Sequence, residues 1–249
     1  MKALITGASS GIGKDMARYL SELGFDLILV SREKEGLEKL KEELSTNVKN
    51  VIVDLSNEDK VKEMFVALRN EEIDVLINNA GFGDAGYFNN TDLAKEINMI
   101  DVNIKAVHIL TKLFLKEMMK RNKGYILNVA SSAAFQPGPF MATYYSTKAY
   151  VLRLTQAISY ELKKQKSNVK ISCLCPGPTR TKFESVANVK FKMKEYTSEF
   201  VAHYAIDKMF DNKVVIIPGL KMKLAKFFSR FASDKRAMKT VFKIQNRKK

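Results

Sequence analysis

The chain has only two cysteines, two histidines and five prolines among 249 residues, and it contains no run of 18 or more apolar residues. The missing run excludes a membrane-spanning helix of ordinary length. The opening MKALITG enters a strand pattern at once and leaves no space for a cleavable leader, so the expected location is the cytoplasm. Cys173 and Cys175 stand two apart in VKISCLCPG. On a strand they would point to one face without the geometry of an easy disulfide, so they read as reduced packing residues. No metal site is implied. Internal repeats of fixed period and low-complexity segments are also missing, which excludes a solenoid or a disordered linker protein.

What the chain does have is charge, unevenly placed. The net charge is +15. From Lys213 to Lys249 there are 12 Lys and Arg against one acid, Asp234, so this tail carries +11. Residues 1–212 hold 30 basic and 26 acidic side chains and are close to neutral. A uniform basic surface would suggest nucleic acid; a neutral body with a basic tail makes that partner unlikely and moves the question to the tail.

With 46% hydrophobic residues, the chain can bury one large core. Short branched apolar runs alternate with segments of helical period, the pattern of repeated βαβ units around a parallel sheet. The expected strands are Lys2 to Thr6, Asp26 to Val30, Asn50 to Asp54, Asp74 to Asn78, Tyr125 to Val129, Lys170 to Leu174 and Val214 to Pro218. Expected helices include Ile12 to Leu23, Glu35 to Leu44, Glu58 to Asn70 and a long one over Asp92 to Lys120. The organisation expected is a single domain over 1–219 with a basic amphipathic extension over 220–249.

After the first strand comes TGASSGIG, running directly into a helix. Gly7, Gly11 and Gly13 permit a tight turn and close approach of backbone N–H groups to a pyrophosphate, and the helix N-terminus favours negative charge there. The end of the second strand, where an acid would hold the 2′-OH of an NAD ribose, carries Ser31 and Arg32 instead. A guanidinium matches a 2′-phosphate in charge and in donor geometry, which favours NADP(H) over NAD. The plainer alternative is a solvated arginine neutralised by Glu33 or Glu35. Asp54 ends the third strand, where it can accept from an adenine amino group, and Asn78 to Gly81 (NNAG) closes the fourth.

Further on, MATYYSTKAYV holds two tyrosines before Lys148. On a helix, Tyr144 is four residues and Tyr145 three residues from Lys148, and both spacings share a face. The serines are doubled too, since Ser131 to Tyr144 and Ser132 to Tyr145 both span 13 residues. Spacing leaves the two pairs equivalent.

Taken in order over residues 1 to 181, TGASSGIG, NNAG, a serine 13 residues before YxxxK, and PGPT resemble the short-chain dehydrogenase/reductase family. That resemblance implies a Rossmann-type doubly wound sheet of about seven parallel strands, and hydride transfer between NAD(P)H and a carbonyl or alcohol. It breaks the tie, since the family's three-residue gap assigns Tyr144, with Ser131, Lys148 and Asn103, to catalysis. It also implies cofactor contacts from Ser9, Ser10, Ile12, Leu55, Asn79, Ala80 and Gly81, from Tyr144 and Lys148, and from Pro176, Gly177, Thr179 and Thr181. In that reading Lys148 lowers the pKa of Tyr144 and Asn103 holds a water that returns the proton. His108 and His203 have no role in the scheme and read as packed or solvated.

The segment 182–197 is expected to form a lid, with Phe183, Val186, Phe191 and Met193 giving an apolar cover under a basic rim. The function expected is an NADPH-dependent oxidoreductase acting on a carbonyl or secondary alcohol of a medium-sized, apolar small-molecule substrate, with NAD-linked alcohol oxidation or a non-catalytic nucleotide-binding scaffold as alternatives. By resemblance the partner is a second copy of the chain, packed through the long helices around Asp92 to Lys120 and Tyr144 to Lys164. In the tail, Leu220, Leu224, Phe227, Phe228 and Phe231 recur at spacings of three and four among basic residues. This amphipathic helix is expected to bury its apolar stripe against the body or a partner subunit; weak peripheral contact with an anionic membrane ranks second and nucleic acid third.

Overall fold

The structure, a computed structural model, describes residues 1–187, 195–229, 231 and 233–246. In chain order its elements are β1 (Lys2–Thr6), α1 (Gly11–Glu22), β2 (Asp26–Ser31), α2 (Lys34–Glu43), β3 (Val48–Ile52), α3 (Glu58–Leu68) and β4 (Val75–Asn78). There follow α4 (Leu93–Ile100), a π turn (Asp101–Ala106), α5 (Val107–Arg121), β5 (Tyr125–Val129), a short 3-10 helix (Ser132–Phe135), α6 (Ala142–Lys164) and β6 (Lys170–Leu174). The rest comprises β7 (Thr179–Arg180), α7 (Phe183–Val186), β8 (Tyr196–Thr197), α8 (Ser198–Phe210), β9 (Val215–Ile216), α9 (Leu220–Ser229) and α10 (Asp234–Asn246).

The main sheet has seven parallel strands in the order β3-β2-β1-β4-β5-β6-β9, and β7 pairs with β8 apart from it. Side chains alternate between the two faces of each strand, so a strand covered by helices on both sides must be apolar throughout. The sequence obeys this. Ala3, Ile5, Leu27, Leu29, Val75 and Ile77 face α1, α2 and α8, where Met16, Leu20, Leu37, Leu40 and Met209 pack. The intervening Leu4, Ile28, Val30 and Leu76 face α3 and α5, where Val61, Met64, Leu110, Phe114 and Met118 pack. The doubly wound α/β architecture expected from the alternating pattern is the one observed.

Most boundaries shift by one or two residues, and three differences from expectation matter most. The third strand runs two residues earlier than Asn50 to Asp54, which frees Val53 and Asp54 to turn over the strand end. The last strand of the sheet pairs only at Val215 and Ile216. The long helix over Asp92 to Lys120 is interrupted by the π turn at Asp101–Ala106, where Asn103 sits. Of the expected lid, Phe183 and Val186 lie on α7, while Phe191 and Met193 lie outside the described residues.

β1 is flanked by β2 on one side and β4 on the other, with Ala3 beside both Leu27 and Val75. The chain thus winds outward from β1 in both directions. At such a reversal the loops leaving the carboxyl ends of the central strands diverge and leave a crevice. The glycine-rich loop after β1 and the NNAG turn after β4 border it, and the tail reaches it from the opposite side.

Candidate active site

The crevice is a cleft of about 980 Å³. Its inner wall is the glycine loop. Gly7 and Gly11 have φ of +66° and +56°, the left-handed region that glycine enters without strain. A side chain on Gly13 would run into the Asn79 amide and the Gly7 carbonyl, so the helix start lies flush against the turn. Asn79 turns inward beneath this loop, its Nδ2 donating to the carbonyls of Thr6 and Gly7, both at 3.0 Å. Thr6 Oγ1 in return accepts from the backbone N–H groups of Asn79 and Ala80 at 3.0 and 3.1 Å. The two turns are therefore one unit, and Ala80 and Gly81 face the cleft with Ser9, Ser10 and Ile12.

At the far end of the cleft, Ser31 Oγ donates to Ser9 Oγ at 3.0 Å and accepts from Glu33 N. Arg32 is 63% exposed along its side chain, with Nη1 3.9 Å from Asp54 Oδ2. Glu33 does not neutralise it; that carboxylate lies 3.9 Å from Lys182 on the opposite rim. Asp54 Oδ1 accepts from the backbone and hydroxyl of Ser56. Burial alone would raise the pKa of Asp54, but those hydrogen bonds and the Arg32 charge hold it below the usual carboxylate value. Leu55 lies buried alongside. On the outer wall, the Pro176 carbonyl accepts from Ser132 N, Thr179 Oγ1 donates to the Gly177 carbonyl, and Thr181 packs against Gly11.

Helix geometry separates the doubled tyrosines. Tyr144, Thr147, Lys148, Val151 and Thr155 of α6 recur every three or four residues and are buried on one face. Tyr145, one residue on, projects about 100° around the helix. It lies against Gly138, and its hydroxyl accepts from Gln245 Nε2 of α10 at 3.3 Å. Both serines line the cleft, but Ser131 caps the 3-10 helix by accepting from Ala133 N at 3.1 Å and acts to lower the Tyr144 pKa, whereas Ser132 is the first residue of that helix.

Burial dominates the ionisation of this group. Tyr144 is 8% exposed within an apolar cluster of Met99, Ala133 and Met141, with the Phe183 ring 5.3 Å away. Desolvation pushes its pKa well above the ordinary tyrosine value, against the smaller opposing effect of the Ser131 hydrogen bond. Lys148 is 5% exposed, and burial pushes its pKa down to about 8. Its Nζ donates to the Val129 carbonyl at 3.0 Å and lies 5.9 Å from the centre of the Tyr144 ring. Desolvation is the larger effect on both groups and shifts each toward its neutral form, the phenol upward and the ammonium downward.

Asn103 is fully buried, and its side chain is hydrogen-bonded. Oδ1 accepts from Phe82 N at 3.1 Å, while Nδ2 donates to the Phe82 carbonyl at 2.9 Å and to Thr147 Oγ1 at 3.1 Å. It fastens the loop after NNAG to α6 and places Gly81 against Lys148 Nζ. These bonds leave one acceptor site on Oδ1 for the expected water, and the residue lies in the π turn, where hydrogen bonds shift from i+4 to i+5.

Sequence reasoning missed the residues of the tail and of the segment before α6. Met222 and Ala225 of α9, and Thr240, Val241 and Gln245 of α10, line the cleft together with Phe135 and Met141. Val241 is 2% exposed, and Phe242 stacks on Phe140 at 4.8 Å. Helical periodicity was the available signal, and it selects an apolar face without naming its partner. His108 bonds Tyr150 and His203 stacks on Tyr19, both away from the cleft. Cys173 and Cys175 are free and buried. Among the described residues there is no cluster able to hold a metal, and no helix long and apolar enough to cross a membrane.

The Asn79 amide carries a direct prediction. Asn79→Ala leaves the Thr6 and Gly7 carbonyls without their donor beside a partly buried loop. An unsatisfied polar group of this kind costs about 1–3 kcal/mol. Urea unfolding should show a lower midpoint with an unchanged slope.

Residues 1–190 match the short chain dehydrogenase family. An uncharacterized oxidoreductase of Staphylococcus epidermidis is 33% identical over 181 residues, covering 72% of this chain and 78% of that protein. The 17-beta-hydroxysteroid dehydrogenase type 3 of Mus musculus is 34% identical over 206 residues, covering 80% of this chain and 66% of that protein. A short-chain dehydrogenase from Sphingobium yanoikuyae, solved in complex with NADPH, has a TM-score of 0.82 at 29% identity and covers 88% of each chain. A family match over most of the chain, on a seven-stranded parallel sheet with this crevice at its reversal point, means that the protein belongs to the short-chain dehydrogenase/reductase family of oxidoreductases.

Proposed function

We propose that the protein is an NADPH-dependent carbonyl reductase, reversibly a secondary-alcohol dehydrogenase, for an apolar substrate. The observation that carries this reading is that Ser131, Tyr144 and Lys148 converge on one cleft that begins at the glycine loop, with the Lys148 ammonium 5.9 Å from the centre of the Tyr144 ring. The glycine cradle fits a dinucleotide: Gly7, Gly11 and Gly13 bring backbone close to where phosphates would lie, and Arg32 and Ser31 stand at the ribose end. When bound, the cofactor supplies or accepts the hydride.

The remaining chemistry belongs to the chain. Tyr144 is held protonated by its burial, so it keeps its proton until an alkoxide, a much stronger base than a carbonyl oxygen, develops next to it. Ser131 donates to the same oxygen and stabilises its growing charge. The phenolate left behind is opposed by the Lys148 cation. Lys148, anchored on the Val129 carbonyl, keeps further N–H donors for the ribose hydroxyls and relays a replacement proton. Asn103 fastens α6 through Thr147 and the loop after NNAG through Phe82, and would hold the water that returns the proton through Lys148. Met141, Phe183 and Val241 give the substrate end an apolar lining, which supports a substrate with a hydrocarbon body; the similarity to a hydroxysteroid dehydrogenase points the same way.

Arg32 supports NADP(H) over NAD. Its pairing with Asp54 favours the NAD-linked alternative, since it draws off the charge that would meet a 2′-phosphate. Exposed pairs of this length contribute about 0–1 kcal/mol, too little to compete with a phosphate dianion. In fluorescence titration the parent should bind NADPH more tightly than NADH, and Arg32→Ala should erase the difference. Tighter NADH binding by the parent would overturn the cofactor reading.

Turnover of a panel of ketones and aldehydes with NADPH tests the mechanism. Tyr144→Phe should lower kcat by about 10²–10⁴, the usual contribution of a positioned acid. Tyr145→Phe should keep most of the activity. Equal rates for Tyr144→Phe and the parent would sink the proposal.

The pH dependence has a definite sign. With a depressed pKa of about 8, Lys148 is charged at neutral pH and loses its charge as pH rises. The kcat/KM for NADPH, which reports groups of the free enzyme, should therefore fall on the alkaline side with a midpoint near that value. A flat profile from pH 7 to about 10, the ordinary lysine range, would contradict it.

A further inference from the structure

We infer that the α9–α10 tail is an anionic-lipid docking surface, with the apolar stripe of α9 as its insertion face. The amphipathic stripe of α9 points the wrong way for a core helix. Leu220, Leu224, Phe227 and Phe228 of α9, and Phe231 in the turn after it, are 71%, 48%, 54%, 64% and 74% exposed. The side of α9 that covers the cleft carries Met222, Ala225 and Lys226, with Lys221 at its edge, and at 100° per residue this side is centred opposite the stripe. Phe227 packs edge-on with Phe228 and Phe231 at 5.5 and 5.4 Å, so the exposed rings form one contiguous patch. A contiguous apolar patch on a surface marks an interaction site.

Charge selects the occupant. The stretch Lys213 to Lys249 carries 12 basic residues against one acid. A second copy of the chain would bring the same +11 against it. Nucleic acid would satisfy the charge but not the three phenylalanines. An anionic bilayer satisfies both, because an interfacial helix buries its apolar face at the headgroup boundary while flanking lysines stay with the phosphates. Lys221 and Lys223 are placed for this, about 80° to either side of the stripe axis at 100° per residue. Lys223 also lies 5.4 Å from the centre of the Tyr204 ring. Since the opposite side of α9 walls the cleft, docking would hold the substrate end of the cleft near the membrane surface. That consequence rests on the functional reading above. Vesicle binding does not, and it is measured without substrate or cofactor, so either can fail alone.

The test is co-sedimentation of the full-length protein with phosphatidylserine/phosphatidylcholine vesicles and with pure phosphatidylcholine vesicles. Binding is expected only to the anionic vesicles. It should weaken strongly between about 0.1 M and about 1 M salt, over which the screening length falls from roughly 10 to 3 Å. The triple variant F227S/F228S/F231S should lose at least about tenfold in affinity, because it removes buried apolar area on the membrane side. Its melting temperature should not change, since the three side chains are exposed. The charge variant K221E/K223E should weaken binding without removing those rings. Absence of binding to anionic vesicles at low salt would overturn the inference, as would unchanged binding by the triple variant. Sedimentation equilibrium gives the remaining outcome: a parent dimer that the triple variant dissociates would assign the patch to a second copy and also overturn it.

Discussion

The rest of the site depends on the bracing of the glycine loop by Asn79. The loop after β1 must expose its backbone to the cleft, so its inner carbonyls cannot be satisfied from that side. Asn79 supplies them from the adjacent turn after β4, and Thr6 returns two hydrogen bonds to that turn. Gly13 has no side chain because the Asn79 amide occupies its place. The same turn then delivers Gly81 against Lys148 and Asn103, so one short peptide connects the phosphate end of the cleft to the proton-handling end.

Burial, more than charge pairing, sets the protonation of that second end. A phenol and an ammonium in one dry pocket shift in opposite directions, the phenol upward and the ammonium downward, because each is pressed toward its neutral form. In the mechanism proposed above, the pair is thereby prepared for a proton acceptor that does not yet exist, the alkoxide formed during reduction. The apolar cluster around Tyr144 produces this effect and also shapes the substrate end of the cleft. A more open pocket would lose both together.

The tail closes the cleft on the side away from the sheet. Val241 and Gln245 are buried against Met141 and Tyr145, and Met222 approaches Gly177. The apolar residues with the clearest helical periodicity, those of α9, are the ones left outside. The expectation that they would be buried against the body is corrected: the contact with the body is made by the smaller and more mixed face of α9 and by α10.

The sequence by itself determined the doubly wound sheet, because strands covered on both faces must be apolar throughout and helices must alternate with them. It also determined which turns border the crevice, since glycines at fixed offsets after a strand permit few other backbones. Spacing alone could not choose between Tyr144 and Tyr145, nor between Ser131 and Ser132, because i+3 and i+4 neighbours of Lys148 are equivalent on an isolated helix; it was the family resemblance that named Tyr144 and Ser131. The packing of α6 then separates them: Tyr144 is buried on the face that carries Lys148, while Tyr145, which also lines the cleft, meets Gln245 of α10. The π turn at Asn103 was likewise invisible, because the residues around it have ordinary helical character and the widened ladder is imposed by the contacts of its buried amide. The direction of the α9 stripe was decided last and by tertiary structure alone: periodicity states that a helix has two faces, and only its neighbours determine which one meets water.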